Sequence, residues 1–391
     1  MTNPKILIVD DEPYNVDYLE QALDGLNYDT ISATNGQEAL DKIQAEPPDL
    51  VLLDIMMPVM DGFTVLAALK SNPATRDLPV IVISANNDMR SVVKGIAMGA
   101  EDYLPKPFEP TLLFARIASS LMKKRLRDLE QLYLISLERE MEIAREIQQS
   151  FLPAELPEVA GWVFSAYFKA AREVAGDFYD AFALPDGNLA FLVGDVCGKG
   201  VGAALFMTLF RSLIRAACTS NLSGDEDATQ SLAPAERLRQ VVSFTNQYIA
   251  ETHADANMFA TVFIGIIDVT ENMISYVNCG NEPALVVREG EVIQTLKPTG
   301  PVLGILPDAT FDVNTVKLEK NDLLLAFSDG ITDAKDENDE FFGASRLIES
   351  LKNNAPDPAT LVNQVRAALT QFSGNAEQFD DITLLAVNKQ F

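Results

Sequence analysis

Between Lys5 and about Leu121 the chain repeats one pattern five times: a short apolar run, then an amphipathic stretch with apolar residues at helical spacing. The runs are KILIV, YDTISA, DLVLLD, PVIVIS and DYLP. Near-continuous apolar strands have no face to offer water, so they need cover on both sides, and helices that alternate with them supply it. The pattern predicts an open, doubly wound domain of five βα units around a parallel sheet.

That domain uses less than a third of the 391 residues. A chain this long exceeds what one core usually serves, so at least one further domain is expected. Residues 1–120 carry 8 basic and 18 acidic side chains, 121–150 carry 6 and 6, and 151–391 carry 16 and 33. A neutral segment between two acidic blocks suggests a connector. No Pro or Gly occurs from Thr111 to Phe151, while Leu126, Leu129, Tyr133, Leu137, Met141, Ala144 and Gln148 recur at steps of three and four. A long helix is predicted. Its three consecutive steps of four break strict heptad spacing, which reads either as a short, imperfect coiled coil joining two copies or as a solitary connector helix packed on one domain. The boundaries expected are residues 1–121, a helical linker at 122–150, and a second domain at 151–391.

Pro153 and Pro157 end the helix. Strand-like segments then follow (VFSAYF, NLAFLVGDV, MFATVFIGIID, MISYVNCG, PALVVREG, DLLLAFSDG) with turn signals such as PDGN between them. Helical patterns at about 200–217, 234–252, 343–353 and 358–373 make this a mixed domain. The polar, acidic stretch NLSGDEDATQS at 221–231 reads as a mobile loop.

The net charge of −27 argues against a nucleic-acid backbone or an anionic membrane as direct ligand. Three cysteines without CxxC spacing suggest neither a disulfide framework nor a zinc site. With no signal-peptide pattern and no apolar run approaching 18 residues, a soluble, cytoplasmic chain is expected.

In a doubly wound sheet, functional groups gather beyond the carboxyl ends of the strands. Asp10 and Asp11, Asp54, Ser84 and Lys106 all fall there. Carboxylates brought together repel unless a cation compensates, and Mg²⁺ held by one or two carboxylates and phosphate oxygens would do so. Taken singly, each is an ordinary loop residue, Asp10 and Asp11 being possible helix caps. Taken together, VDDE, LLDIMMPVMDG, VISA and YLPKPF resemble the receiver domain of response regulators over about 120 residues. The resemblance implies Asp54 as phosphoacceptor, Asp11 as a direct Mg²⁺ ligand assisted by Asp10, and the Met56 carbonyl as a further ligand. It also implies Lys106 on the phosphoryl oxygens, Ser84 and Tyr103 as a switch pair, and room for a cis Lys106–Pro107 bond. A histidine kinase or phosphotransfer protein is the implied partner.

The second domain carries four Asp-containing loops: AGDFYD (Asp177), GDVCGKG (Asp195), SDG (Asp329) and FDDIT (Asp380, Asp381). Carboxylates without a His or Cys set favour Mg²⁺ or Mn²⁺, two of which could activate water and clamp a phosphoryl group. Spacing alone leaves open that these are four Asp-Gly turns. The segments EIQQSFLP, EVAGDFYD, GDVCGKGVGAAL, MFATVFIGIID, GPVLG, FSDGITDA and DDITLL are similar to the SpoIIE/RsbU branch of the metal-dependent PPM phosphatases, over about residues 145–391. The resemblance implies an α/β/β/α sandwich and a two-metal centre in which Asp195 bridges both ions and the Val196 carbonyl joins it. Asp177 would serve one ion, Asp329 and Asp380 the other, with Asp381 behind them and Gly194 and Gly198 letting the backbone pass close. Two positions depart from the pattern: Ala175 stands for the first Gly of GGDFYD, and Asn281 for the His of NAGH, which puts substrate contacts or an acid/base step in question. The implied substrate is phosphoserine or phosphothreonine on a STAS-domain anti-sigma-factor antagonist, with Asp54 phosphorylation acting through the helix. The alternative is a catalytically degenerate scaffold that binds a partner under receiver control.

Overall fold

The computed structural model describes residues 3–85, 89–220, 232–352 and 355–390. The chain divides into two compact units, Met1–Glu138 and Arg139–Phe391, with the division inside one helix. The stretch at 221–231 lies outside the described residues.

In the first unit, β1 (Lys5–Val9), α1 (Pro13–Leu23), β2 (Asp29–Ala33), α2 (Gly36–Ala45), β3 (Leu50–Asp54), α3 (Gly62–Ser71), β4 (Val80–Ala85), α4 (Met89–Ala97) and β5 (Asp102–Lys106) alternate as expected. The strands are all parallel, in the order β2-β1-β3-β4-β5. Successive side chains on a strand point to opposite faces. Leu7, Val9, Val51, Leu53, Val80 and Val82 meet α2 and α3, while Ile6, Ile8, Leu50, Leu52, Ile81 and Ile83 meet α1 and Leu113 and Ile117 of the next helix. That helix, α5 (Pro110–Phe151), runs 42 residues, or about 63 Å at 1.5 Å per residue.

The second unit has two antiparallel sheets. One is ordered β13 (Asn314–Lys317), β10 (Met273–Cys279), β9 (Ala260–Asp268), β8 (Leu189–Val196), β7 (Asp177–Ala183). The other is ordered β12 (Glu291–Leu296), β11 (Ala284–Arg288), β14 (Leu323–Phe327), β15 (Ile382–Lys389), β6 (Trp162–Lys169). Strand β8 shows why its run is apolar throughout. Phe191 and Val193 enter the layer between the sheets with Phe164, Phe263, Leu324 and Leu385, while Ala190, Leu192 and Val196 turn the other way toward α6 (Val201–Thr219) and α7 (Pro234–Thr252). Helices α8 (Gly343–Leu351) and α9 (Pro358–Ser373) cover the outer face of the second sheet through Leu347, Leu351, Leu361 and Val365. The result is an α/β/β/α sandwich. By length and hydropathy alone α6 could cross a membrane. Its Met207, Phe210, Ile214 and Ala217 are instead buried against the first sheet.

The exposed apolar side chains of α5 include Leu126, Leu129, Tyr133 and Leu137. Gln148, expected on the same stripe, is buried and serves the sandwich instead. Its amide N–H donates to the Ala175 carbonyl at 2.7 Å, and its amide oxygen accepts from the Ala175 N–H at 2.9 Å.

Candidate functional site

Asp54 ends β3 and Asp10 follows β1, one of the two strands paired with β3, so the two carboxylates meet in the first unit. Oxygens of Asp10, Asp11 and Asp54 lie within 4.8 Å of one another, and among the described residues no other group of three carboxylate, imidazole or thiol side chains closes as tightly. Asp10 and Asp54 are buried and Asp11 is the more open. Lys106, at the end of β5, reaches both: its Nζ is 2.9 Å from Asp10 Oδ2 and 2.9 Å from Asp54 Oδ2. Asp10 Oδ1 also accepts from the Glu12 N–H and from Asn15. Burial pushes the Asp54 carboxyl above its ordinary range, against the pull of Lys106. For Lys106, burial works downward, but its hydrogen bonds to Asp54 and Asp10 carry the ammonium above its usual value.

The loop after Asp54 is shaped by two unusual backbones. A Cβ at Gly62 would lie 2.2 Å from the Asp54 carbonyl oxygen, so only glycine lets the start of α3 close onto β3. Val59 holds φ at +69°, uncommon for a β-branched residue. Met56 projects its side chain into solvent. The Ser84 hydroxyl is buried at the end of β4 with no hydrogen-bond partner among the described residues, an orphaned donor that fits a phosphoryl oxygen. The Tyr103 ring lies beneath the Arg116 guanidinium at 4.7 Å, and Arg116 pairs with Asp102. The Lys106–Pro107 peptide is cis.

The second cluster lies at one edge of the sandwich. Asp177 opens β7 and Asp195 sits near the end of β8, where the two are register partners. Asp329 follows β14, and Asp380 and Asp381 precede its neighbour β15. Hydrogen bonds tie the two sheets together here: Thr383 Oγ1 donates to Asp177 Oδ2 at 2.6 Å, and the Gly176 N–H donates to Asp381 Oδ2 at 2.7 Å. The other oxygen of Asp381 accepts from the Ala171 N–H at 2.8 Å. Asp381 therefore holds the loop ahead of Asp177.

Burial, with Asp195 alongside, keeps the Asp177 carboxyl well above the ordinary range. Burial and then the charges of Asp329 and Asp380 push Asp195 to about 7. Asp329 is raised by burial and by Asp380, and Asp381 chiefly by burial. Burial, with added repulsion among neighbouring carboxylates, disfavours negative charge at this edge, which divalent cations would relieve, and an all-oxygen donor set suits Mg²⁺ or Mn²⁺.

The glycines at this edge do different things from those expected. A Cβ at Gly176 would lie 2.8 Å from the Val196 carbonyl oxygen, and one at Gly330 only 1.8 Å from the Asp381 carbonyl oxygen. Those two permit the close approach. Gly194 instead makes room for the Phe178 ring, 2.6 Å from its would-be Cβ, and Gly198 has open space around it and is required by its φ of +90°.

Sequence reasoning passed over Lys199, although it lies within GDVCGKG. Its Nζ is 2.8 Å from Asp380 Oδ2 and donates to the Phe379 carbonyl at 2.9 Å. Asn281 is buried, and its side-chain N–H groups donate to the Phe327 carbonyl at 3.0 Å and the Glu282 carbonyl at 3.1 Å. Its oxygen accepts from Thr261, the register partner of Asp195. Asn281 thus ties β9 to the end of β14 and has no proton to trade.

Comparisons with known proteins agree with this architecture. The family model of Stage II sporulation protein E (SpoIIE) matches residues 185–390, more than half of the chain, and that of the response regulator receiver domain matches residues 6–118. Protein IcfG of Synechocystis sp. is 40% identical over 260 residues, which cover 63% of this chain and 41% of IcfG. Response regulator PleD of Caulobacter vibrioides is 44% identical over 115 residues, 29% of this chain and 25% of PleD. The chain thus spans less than half the length of either relative. Among solved structures, the SiaA-PP2C domain of Pseudomonas aeruginosa superposes with a TM-score of 0.52 at 24% identity, over 66% of this chain and 98% of that one, a likeness of fold. With its parallel sheet ahead of its two-sheet sandwich, the chain belongs to the SpoIIE family, as a receiver domain fused to a SpoIIE/PP2C-type phosphatase domain.

Proposed function

We propose that the chain is a response regulator whose output is metal-dependent dephosphorylation of phosphoserine or phosphothreonine on a partner protein, of the STAS-domain kind, under control of phosphorylation at Asp54. The observation that supports this best is the set of buried or half-buried carboxylates Asp177, Asp195, Asp329 and Asp380 drawn to one sheet edge at an electrostatic cost. In this reading Asp195 would serve both Mg²⁺ or Mn²⁺ ions and the Val196 carbonyl would join it, Asp177 would serve one ion, and Asp329 and Asp380 the other. When bound, such ions supply a Lewis acid for the phosphoryl oxygens and lower the pKa of water. The chain's own residues position and exclude: Asp381 and Thr383 fix Asp177 and the loop before it, and Lys199 brings a positive charge to Asp380 where a phosphoryl oxygen can share it.

In the receiver, Asp54 would take the phosphoryl group, Asp11, assisted by Asp10, and the Met56 carbonyl would hold one Mg²⁺, and Lys106 would neutralise the phosphoryl oxygens. Ser84 and Tyr103 rearrange in response. The linker at 122–150, flanked by domains at 1–121 and 151–391, carries the change by pairing with a second copy through its exposed apolar side chains. A cytoplasmic setting fits a kinase or phosphotransfer protein as phosphoryl donor.

One observation favours the scaffold alternative: among the described residues, the carboxylates of the sandwich edge do not close in threes to within 4.8 Å, as those of the receiver do. Hydrolysis of p-nitrophenyl phosphate by the full chain with Mn²⁺ separates the readings. Turnover that Asp329→Ala abolishes is expected; activity equal in wild type and variant, or absent from both, contradicts the enzymatic reading.

A further inference from the structure

Beside the carboxylate edge of the sandwich lies a cleft of about 140 Å³ between the end of β6, the segment after β14 and helix α9. It begins at the site itself, since Gly330 and Phe379 in its wall are the chain neighbours of Asp329 and Asp380. Its charged lining runs against the rest of the molecule. Lys169, Lys335 and Arg366 face a single carboxylate, Glu377, in a chain whose net charge is −27. Aromatic rings hold the cations in place: Arg366 lies 4.1 Å over Tyr167, and Lys335 lies 4.6 Å over the half-exposed Phe379 ring, with Lys199 at 4.9 Å. Among the described residues, none of the three lining cations has a buried acid as partner. Lys335 meets the exposed Asp339 at 3.4 Å, and Arg366 donates to Asn363 at 3.3 Å, contacts that water readily exchanges.

We infer that this cleft is a docking subsite for an acidic segment of the phosphoprotein substrate, next to its phosphorylated residue. The inference rests on the phosphatase reading and adds to it a sequence preference. An extended peptide advances about 3.3 Å per residue. A phosphorylated side chain at the Asp329–Asp380 edge therefore lays the next few residues along Phe379 and between Lys335 and Arg366. The acidic bulk of the chain repels an anionic partner at long range, and a local basic cleft reverses that field where contact is made. A polyanion such as nucleic acid would meet the repulsion along its whole length, whereas a short acidic stretch meets mainly the cleft.

The test uses the full chain with Mn²⁺ and two fluorescein-labelled phosphoserine peptides of equal length, one flanked by Glu and one by Gln. Fluorescence anisotropy gives their dissociation constants, and p-nitrophenyl phosphate, which has no flanks, reports the carboxylate edge alone. The Glu-flanked peptide is expected to bind about tenfold more tightly at low ionic strength, with the preference shrinking as salt rises. Lys335→Gln with Arg366→Gln should remove the preference and leave p-nitrophenyl phosphate turnover unchanged, and Lys169→Gln alone should reduce it in part. Equal affinity for the two peptides in the wild type, or a preference that survives the double variant, overturns the subsite. Loss of p-nitrophenyl phosphate hydrolysis in the wild type strikes the phosphatase reading instead, while the binding comparison still decides the cleft.

Discussion

Replacing Gly330 by alanine inserts one methyl group between the loops that carry Asp329 and Asp380. The new Cβ would stand 1.8 Å from the Asp381 carbonyl oxygen, where 3.4 Å marks the start of ordinary contact, so the two loops must part by about 1.6 Å. Neither side yields easily, because both are main chain. The Ser328 N–H donates to the Thr383 carbonyl at 3.1 Å, and the Thr383 N–H donates to Ser328 Oγ at 3.1 Å. Overpacking of this kind costs about 1–3 kcal/mol, which for a unit of this size lowers Tm by roughly 2–4 °C per kcal/mol. The larger effect falls on chemistry. Misplacing groups by about 1 Å commonly costs on the order of 100-fold in rate. Gly330→Ala should therefore stay folded by circular dichroism, melt several degrees lower, and lose about 100-fold or more in kcat for p-nitrophenyl phosphate with Mn²⁺. A variant within twofold of wild type in kcat and with unchanged Tm would refute the claim that these loops are locked together and that their carboxylates act as one set.

Three further outcomes concern other parts of the molecule. Val59 is 89% exposed at φ +69°, so Val59→Gly relieves backbone strain with no packing lost, and urea unfolding should show the receiver transition stabilised by about 0.5–1 kcal/mol; a destabilised variant would count against the strained loop. Burial pushes the Cys218 thiol up to about 12 and Cys279 higher still, so both stay protonated at pH 8, and a thiol reagent should label only the partly exposed Cys197 in the native chain but all three after unfolding. Asp180 is wholly buried against Arg211 at 2.9 Å and Arg215 at 2.8 Å, and Asp180→Ala leaves the mostly buried Arg211 without its counter-charge, so the sandwich should lose about 3–5 kcal/mol in denaturant melts; a loss under 1 kcal/mol would show that water or a rearranged acid replaces it.

Much of the receiver could be read from residues alone. Strands β1, β3 and β4 are short apolar runs with a polar residue at or next to their carboxyl ends, and the pocket forms because Asp10, Asp54, Ser84 and Lys106 all occupy carboxyl ends of neighbouring parallel strands. The sandwich was harder. A strand such as β8, buried on both faces, shows no alternation that would reveal its partners, and β6 pairs with β15 across more than 200 residues of chain. That architecture was legible only through resemblance. Strands β12 and β13 were missed because they are largely exposed, and β7 and β15 were read only as the flanks of aspartate motifs. Asp177, Asp195 and Asp329 announced themselves by standing beside a glycine, and Asp380 and Asp381 by preceding an apolar run, but their supports did not. Thr383 and Gln148 act through contacts at separations of 206 and 27 residues, and nothing local to either residue names the other. Asn281 likewise gained its explanation only when the Phe327 carbonyl and Thr261 came into contact with it.

The proposed phosphatase chemistry depends most directly on whether Asp177, Asp195, Asp329 and Asp380 share bound cations. Anomalous difference density from crystals of the full chain soaked in Mn²⁺ decides it. Two peaks at the edge of the sandwich, with Asp195 between them, and a third beside Asp11 and Asp54 are the expected result. Density at the receiver with none among the four sandwich carboxylates would contradict a metal-dependent phosphatase and leave a receiver joined to a binding domain.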